Sequence, residues 1–175
     1  MPLGEANALI TILTSDVGLV RARAQGIRRS GAKLAAALGT FAESEMILVR
    51  GRDGWRIAGA VLKENWFYRM KTESIRARAA RVTHLLLRLI VGETNDQKTF
   101  SLIIGFFNAL AILREEIHES VETLAVIRLL TMLGFDDRDI PGEVGSFTEP
   151  ILDEVKRGRA SYIARINRGI TASGL

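Results

Sequence analysis

Residues 18–33, GLVRARAQGIRRSGAK, combine a strand pattern with a one-sided row of positive charge. Arg21 and Arg23 recur at every second position, so a strand would carry them on one face and the intervening Ala22 on the other. The positive charge continues beyond this strand into a loop marked by Ser30-Gly31. Five cations lie within thirteen residues: Arg21, Arg23, Arg28, Arg29 and Lys33. Such a row suits the phosphate backbone of a nucleic acid.

The segments around this strand are also short, and each is rich in Val, Ile, Leu or Thr. The four predicted strands are Ala8–Thr14, Leu19–Gln25, Glu45–Arg50 and Trp55–Lys63. Between the last two, Asp53-Gly54 predicts a tight hairpin, because this dipeptide readily takes positive φ angles. Ala32–Leu38 is rich in alanine and leucine, which favours one or two helical turns. Several short strands with one small helix and a basic face indicate a small β-barrel.

After Tyr68 the apolar residues recur at spacings of three and four, which is typical of amphipathic helices. The predicted helices are Ile75–Val91, Lys98–Leu113, His118–Leu133, Glu149–Gly158 and Ser161–Thr171. The second of these is almost wholly apolar, so we expect it to be the central helix. Asp136–Thr148 contains Pro141 and predicts an exposed connection. The sequence therefore predicts an α+β fold that changes from strands to helices near Asn65.

The composition limits the kinds of site that the chain can build. It has 175 residues, no cysteine and two histidines, His84 and His118. A disulfide framework, a thiolate zinc site and a multi-histidine metal site are thereby excluded, and we expect no metal and no cofactor. The longest nearly uncharged stretch, Thr99–Leu113, is too short to span a bilayer. The opening residues, MPLGEANALI, lack the pattern of a secretory signal, so we expect a cytoplasmic protein.

The net charge of +4 conceals a division along the chain. Residues 1–65 carry nine Lys or Arg against six Asp or Glu, and residues 66–112 carry seven against three. Residues 113–154 carry three against eleven, whereas residues 155–175 carry five and no acid. An acidic segment between basic ones indicates separate surfaces for different partners, although solvated helix faces produce a similar contrast.

The order of several short motifs resembles the N-terminal domain of the RecO family of bacterial recombination mediators. These motifs are Gly4-Glu5, Leu13-Thr14, Gly18-Leu19, Ala24–Arg29 and Leu38–Phe41. They are followed by a strand that reads FAESEMILVRG, residues 41–51. Near the other end, Arg165-Ile166-Asn167-Arg168 is similar to the last helix of that family. The resemblance runs loosely over most of the chain.

The resemblance implies an OB-fold nucleic-acid-binding domain over residues 1–65 and an α-helical partner-binding domain over residues 66–175. It implies a non-enzymatic protein of the bacterial nucleoid that binds single- and double-stranded DNA, promotes strand annealing and loads recombinase. The implied partners are RecR and the acidic C-terminal tail of single-strand-binding protein. Two groups of cations are available for that tail: Arg76, Arg78 and Arg81, or Lys156, Arg157 and Arg159.

Two departures from the family bear on these expectations. The family's usual first strand has no counterpart before Gly4-Glu5, so we expect either a misassigned start or a barrel with one strand fewer. Many family members carry a four-cysteine zinc module in the helical domain, whereas this chain has no cysteine and passes through that region as a short acidic loop, Gly134–Pro150. We therefore predict no zinc, and the short length leaves full mediator activity open.

We expect DNA contacts from seven cations: Arg21, Arg23, Arg28, Arg29, Lys33, Arg50 and Arg52. Trp55 could stack on a base, although a tryptophan that begins a strand more often packs in a core. The aromatic run Trp66-Phe67-Tyr68 predicts packing between the two domains. For His84 we expect a packed or half-buried side chain. Neither a Walker-type phosphate loop nor a nucleophile with a placed base is visible. Two other functions stay open: a protein-interaction module that has lost DNA binding, and an RNA-binding OB-fold protein.

Overall fold

The chain folds as a four-stranded sheet followed by a bundle of helices, in a computed structural model that describes residues 7–25, 31–90, 92 and 97–175. The strands are β1 (Asn7–Thr14), β2 (Gly18–Gln25), β3 (Ala42–Gly51) and β4 (Gly54–Asn65). The helices are α1 (Gly31–Ala37), α2 (Trp66–Arg69), α3 (Glu73–Leu89), α4 (Gln97–Ile112), α5 (His118–Met132), α6 (Glu149–Arg157) and α7 (Arg159–Ala172). The predicted α+β class is confirmed, and the change from strand to helix falls between Asn65 and Trp66.

The first two strands form an antiparallel hairpin that pairs from Asn7↔Gln25 to Thr14↔Gly18. Its three-residue turn is closed by the Thr14 hydroxyl, which accepts a hydrogen bond from the Val17 N–H at 2.9 Å and donates one to the Gly18 carbonyl at 3.0 Å. Gly18 has a φ angle of 78°, in a region that residues other than glycine rarely adopt. The hairpin register therefore depends on a glycine at the first residue of β2.

The second hairpin joins β3 to β4 through Arg52 and Asp53, with Gly51 paired to Gly54. The predicted hairpin is present, but its expected turn chemistry is wrong at one position. Gly54 takes φ of 99°, whereas Asp53 is not among the described residues with positive φ. The turn consequently places Arg52 and Asp53 at the tip, rather than Asp53 and Gly54.

The two hairpins become one sheet through a parallel pairing between β2 and β4. Three residue pairs form it: Ala22↔Trp55, Arg23↔Arg56 and Ala24↔Ile57. The resulting strand order is β1-β2-β4-β3. Parallel neighbours need a crossover connection, and α1 lies in the chain between the two hairpins. Within the described residues, β1 and β3 are consequently the two edges of the sheet.

The helical domain is built around α5, which packs against α3, α4, α6 and α7. Ten of its residues are buried, so α5 and not the predicted α4 is the central helix. The more apolar α4 instead lies between α5 and the sheet, where it contacts α2, β1 and β2. The apolar composition of α4 suggested the wrong central helix. This helix is apolar because it packs against both α5 and the sheet.

The two domains meet at Phe41, a residue with φ of 57° that begins the approach to β3. Its ring packs on Phe107 of α4 at 5.1 Å between centroids, and its carbonyl accepts a hydrogen bond from the Trp66 N–H at 3.1 Å. Trp66 is buried, and its indole N–H donates to Glu43 at 3.1 Å. The predicted interdomain packing is confirmed for Trp66, whereas Tyr68 is exposed. Phe67 is half-buried beneath the guanidinium of Arg76, at 4.4 Å.

The segment between α5 and α6 has no helix or strand, as predicted. It is not fully exposed, because Ile140, Val144 and Phe147 pack against the core and two buried arginines fasten it to the bundle. Arg128 donates hydrogen bonds to the carbonyls of Pro141, Val144 and Ser146 at 2.7, 3.0 and 2.6 Å. Burial lowers the pKa of Arg128 to about 10. Hydrogen bonds to three carbonyls offset the cost of removing the Arg128 charge from water. The guanidinium of Arg128 therefore holds the backbone of the loop against the bundle.

The second buried arginine, Arg165 of α7, forms an ion pair with Asp136. The Arg165 Nε and a terminal nitrogen donate to the two carboxylate oxygens at 3.1 and 2.5 Å, and both side chains are 7% exposed. These hydrogen bonds hold the pKa of Asp136 below its ordinary value. This bidentate pair ties the start of the loop to the last helix.

Replacing Asp136 with Asn should destabilise the protein by about 3 kcal/mol at neutral pH, because Arg165 would keep a buried charge without its counterion. Since the pKa of Asp136 is lowered on folding, its contribution is complete above the ordinary aspartate pKa and is lost as the pH falls through the lowered folded value. Urea unfolding as a function of pH measures both effects. Asp139→Asn, an exposed change in the same loop, is the control; equal losses for the two variants would contradict this account.

Candidate nucleic-acid interface

The exposed outer face of the sheet carries arginines on its two central strands. Arg21 and Arg23 are exposed on β2, and Ala22 and Ala24 between and beyond them are buried, so the predicted alternation is present. The parallel pairing sets Arg56 of β4 directly beside Arg23. We call Arg21, Arg23 and Arg56 the outer arginine row. It spans both central strands and therefore belongs to no single segment of sequence.

Arg56 is the residue that sequence reasoning missed. Its period-two position in β4, between half-buried Trp55 and buried Ile57, already indicates an outward side chain. Nothing in the sequence says that β4 lies beside β2, since parallel strands are joined only through a long connection. The neighbour of Arg23 became identifiable once the register was known.

Arg50 lies on the opposite face from this row. It pairs with Trp55, and Trp55 pairs with Ala22, whose side chain is buried inside the sheet. The guanidinium of Arg50 lies 5.4 Å from the centre of the Trp55 ring, which is a cation–π contact. Arg50 thus reaches the surface from the inner side, and Trp55 does not stand on the outer face as a platform for bases.

Arg52 and Asp53 form the tip of the hairpin beside the outer arginine row. Both are exposed, and the Asp53 carboxylate lies 3.8 Å from the Arg23 guanidinium. At this exposure the pair contributes little to stability. Its effect is local, because Asp53 offsets part of the positive potential of the row.

Exposed aliphatic side chains flank the row on both edges. In register, Leu9 pairs with Arg23 on one side, and Val49 pairs with Arg56 on the other. Ile47 on the same face of β3 is 66% exposed. No aromatic residue stands among the described side chains of this outer face. The surface consequently offers charges for phosphates and aliphatic contacts for sugars, rather than rings for stacking.

The side chains of three predicted site residues lie outside the described part of the structure. Arg28 and Arg29 lie outside the described residues, and Lys33 falls within α1 but its side chain is not described. Their predicted contribution to DNA binding stays a prediction, as does that of Arg21, Arg23, Arg50 and Arg52.

The two cation groups of the helical domain differ in how far they are already engaged. Glu122 accepts hydrogen bonds from both Arg78 and Arg81, and Arg76 donates to the carbonyls of Phe67 and Met70. In the other group, Arg159 pairs with Glu119 at 2.6 Å. Lys156 and Arg157, at the end of α6, are exposed; Arg157 donates to the carbonyl of Asp153.

The histidines and carboxylates form no metal centre in the ranges described: no group of three or more metal-ligating side chains is found there. His118 is buried, with Nε2 2.9 Å from the carbonyl of Leu113, whereas His84 is exposed, contrary to the prediction for it. No helix in the same ranges is long and apolar enough to cross a bilayer.

Comparison with known proteins links the sheet domain to one family. Residues 1–65 match the family model described as recombination protein O N terminal, which is an OB-fold domain. The match ends at the last residue of β4. The predicted OB-fold is thereby confirmed, with four strands in the described part of the chain.

Curated relatives extend the similarity into the helical domain. The chain is 30% identical over 153 residues to the DNA repair protein RecO of Rubrobacter xylanophilus, covering 82% of this chain and 61% of that protein. It is 29% identical over 138 residues to the protein of the same name from Bifidobacterium longum subsp. infantis, covering 78% and 57%. The RecO protein of Acaryochloris marina is 44% identical over 66 residues, 38% of this chain. The matched stretches span 61%, 57% and 22% of the lengths of these three relatives, so each is less than two thirds.

Replacing Asp53 with Asn should strengthen binding to a polyanion about twofold, because it removes the negative charge beside Arg23. Elution from a heparin column against a salt gradient measures the change, which we expect to appear as a higher eluting salt concentration. Asp16→Asn makes the same charge change in the turn at the far end of β2. If the eluting salt concentration rises equally for the two variants, net charge and not the outer arginine row controls binding.

Proposed function

Because this chain is a relative of the RecO DNA repair proteins and its residues 1–65 match their N-terminal domain, we propose that it is a non-enzymatic DNA-binding recombination mediator. It binds single- and double-stranded DNA, promotes annealing and supports recombinase loading at the bacterial nucleoid. The observation that carries the proposal is the outer arginine row, in which Arg23 and Arg56 are register neighbours on an exposed sheet face.

The positive charge of this surface supports DNA binding. Arg23 and Arg56 lie on adjacent strands, whose backbones are about 4.8 Å apart. Their flexible side chains can therefore contact phosphates along one nucleic-acid backbone. Leu9 and Val49 flank the row and provide apolar contact for sugars. Without an aromatic among the described outer side chains, recognition rests on the backbone and is independent of base sequence.

Replacing Arg21, Arg23 and Arg56 with Ala should weaken binding to single-stranded DNA and lower the salt slope by about 0.7 per arginine removed. Fluorescence anisotropy with a 30-nucleotide single strand, measured from 50 to 300 mM salt, gives the affinity and the slope. The matched control replaces three exposed cations of the helical domain, Lys71, Arg88 and Arg168, and makes the same change in net charge.

An unchanged slope in the outer-row variant would mean that DNA binds elsewhere. Weak, salt-insensitive binding by the unmodified chain, with RecR association retained, would instead identify a protein-interaction module. Competition between DNA and RNA of the same sequence tests the remaining alternative, because a basic OB-fold surface does not by itself distinguish the two sugars. Preferential displacement by RNA would favour an RNA-binding protein.

For the acidic tail of single-strand-binding protein, we propose a site at Lys156 and Arg157. The support is that Arg78 and Arg81 share Glu122, Arg76 donates to two backbone carbonyls and Arg159 pairs with Glu119. Arg157 makes a single longer contact, to the Asp153 carbonyl of its own helix at 3.4 Å. An acidic peptide would have to displace these intramolecular partners.

A fluorescein-labelled tail peptide should therefore bind the unmodified chain and lose at least fivefold in affinity with Lys156→Ala/Arg157→Ala, as measured by anisotropy. Lys71→Ala/Arg168→Ala removes the same charge elsewhere on the helical domain and should leave binding within twofold. Equal losses in the two double variants would show only a general electrostatic effect and would contradict a site at α6.

A further inference from the structure

Tyr68 differs from every other aromatic residue of this protein in its exposure to solvent. The chain contains seven phenylalanines, two tryptophans and two tyrosines, and all of them lie within the described residues. The other ten are buried or half-buried, whereas Tyr68 is 75% exposed. An aromatic side chain that enters a core removes roughly 150–250 Å² of surface from water. Most of the Tyr68 surface stays in water, so the ring is available to a partner.

The backbone on each side of Tyr68 is anchored in the core. Tyr68 lies in the short helix α2, and the flanking Trp66 and Met70 are only 7% and 0% exposed. The Asn65 side chain accepts a hydrogen bond from the Tyr68 N–H at 3.2 Å, and the Met70 N–H donates to the Trp66 carbonyl at 2.9 Å. A rotation of α2 that buried Tyr68 would withdraw Trp66 and Met70 from the core. The packing of its neighbours therefore holds Tyr68 at the surface.

The Tyr68 ring also rests against a second ring that is itself supported. Phe67 meets it edge to face, with 5.8 Å between centroids and 88° between the ring planes. The Arg76 guanidinium lies 4.4 Å from the centre of the Phe67 ring, and its Nε donates to the carbonyls of Phe67 and Met70 at 3.1 and 2.8 Å. An edge contact covers at most one face of the Tyr68 ring. The other face is open, and a ring held in this way loses little entropy on binding.

A nucleobase is the occupant that suits this ring best. The outer arginine row offers charges for phosphates but no ring among the described side chains of its face. Sites for single strands commonly combine a basic track with aromatic side chains on which bases stack. A protein-binding aromatic more often lies at the centre of an apolar patch, whereas the exposed residues that follow Tyr68 in the chain, Arg69 and Thr72, are polar.

The strand that carries Arg56 also leads to Tyr68. Arg56 and Asn65, both in β4, are nine residues apart, which corresponds to about 30 Å at roughly 3.3 Å per residue. Tyr68 follows in the next element, α2. OB-folds bind up to about 16 nucleotides per site, which is enough for one strand to reach both the outer arginine row and Tyr68.

We propose that Tyr68 stacks on an unpaired base of single-stranded DNA, beyond the end of the sheet. Stacking at Tyr68 rests on the DNA binding proposed above and adds a base contact to a surface that otherwise holds the backbone. Every base has a π-face, so the contact tolerates any sequence. Bases inside a duplex are already stacked on one another and cannot stack on Tyr68. The ring consequently favours single strands over duplex DNA.

Two 30-nucleotide strands test this contact: an oligothymidylate, and a strand of the same length in which every site is abasic. Both carry the same phosphates, but only the first can stack. Tyr68→Ala should lose about fivefold or more in affinity for the oligothymidylate and bind the abasic strand within about twofold of the unmodified chain. Tyr68→Phe keeps the ring and should stay within about twofold on both strands. Fluorescence anisotropy at a fixed salt concentration gives the four affinities.

The matched control is Ile112→Ala, which removes another exposed apolar side chain, 60% exposed, at the end of α4. It should leave both affinities unchanged. Equal losses on the two strands with Tyr68→Ala, or an equal loss with Tyr68→Phe, would overturn the proposal. An unchanged affinity of Tyr68→Ala for the oligothymidylate would also overturn it and would favour a protein-docking role for the ring.

The salt dependence of binding separates base stacking from the proposed phosphate contacts. Tyr68→Ala removes no phosphate contact, so its salt slope should equal that of the unmodified chain, whereas the outer-row variant should have a lower slope. A fivefold loss with Tyr68→Ala beside an unchanged slope in the outer-row variant would support stacking and contradict the outer arginine row. A lower slope in the outer-row variant without any loss in Tyr68→Ala would contradict stacking alone.

Photocrosslinking of the unmodified chain provides a readout that does not depend on the folding of any variant. A single strand that contains 5-iododeoxyuridine should crosslink to Tyr68, and mass spectrometry of the digested complex identifies the residue. Crosslinks confined to other aromatic residues, such as Trp55, would overturn the proposal.

Discussion

Three residue pairs between β2 and β4 hold the two hairpins in a single sheet, and most of the molecule's surfaces depend on them. They bring Arg23 beside Arg56, and they turn Trp55 inward against Ala22. Among the described strands, they also make β1 and β3 the edges of the sheet. A parallel contact this short is stabilised by its surroundings: α1 packs on β4 and β3, and the sheet rests on α4.

The arginines of this chain serve two different purposes. On the sheet, Arg21, Arg23 and Arg56 are exposed, where guanidinium groups stay hydrated and available to phosphates. In the helical domain, Arg128 and Arg165 are buried and bind loop carbonyls and Asp136. The net charge therefore overstates the positive charge available for a polyanion, because part of it is used to fasten an irregular segment.

The two sides of the sheet differ in their side chains. The outer side is basic with aliphatic flanks, as expected of a surface for a phosphate backbone. The inner side is apolar and is covered in part by α1 and α4.

The sequence by itself determined the local elements and the alternation of Arg21 and Arg23, because hydrophobic periodicity and turn residues act within a few positions. It did not identify α5 as the central helix or foresee the exposure of Tyr68 and His84, since burial depends on which elements cover a face. The tertiary structure likewise decided that Arg56 lies beside Arg23 and that Arg50 points inward. It also placed three loop carbonyls around the guanidinium of Arg128. Each rests on pairing or packing between residues distant in sequence, and register between distant strands leaves no local signal.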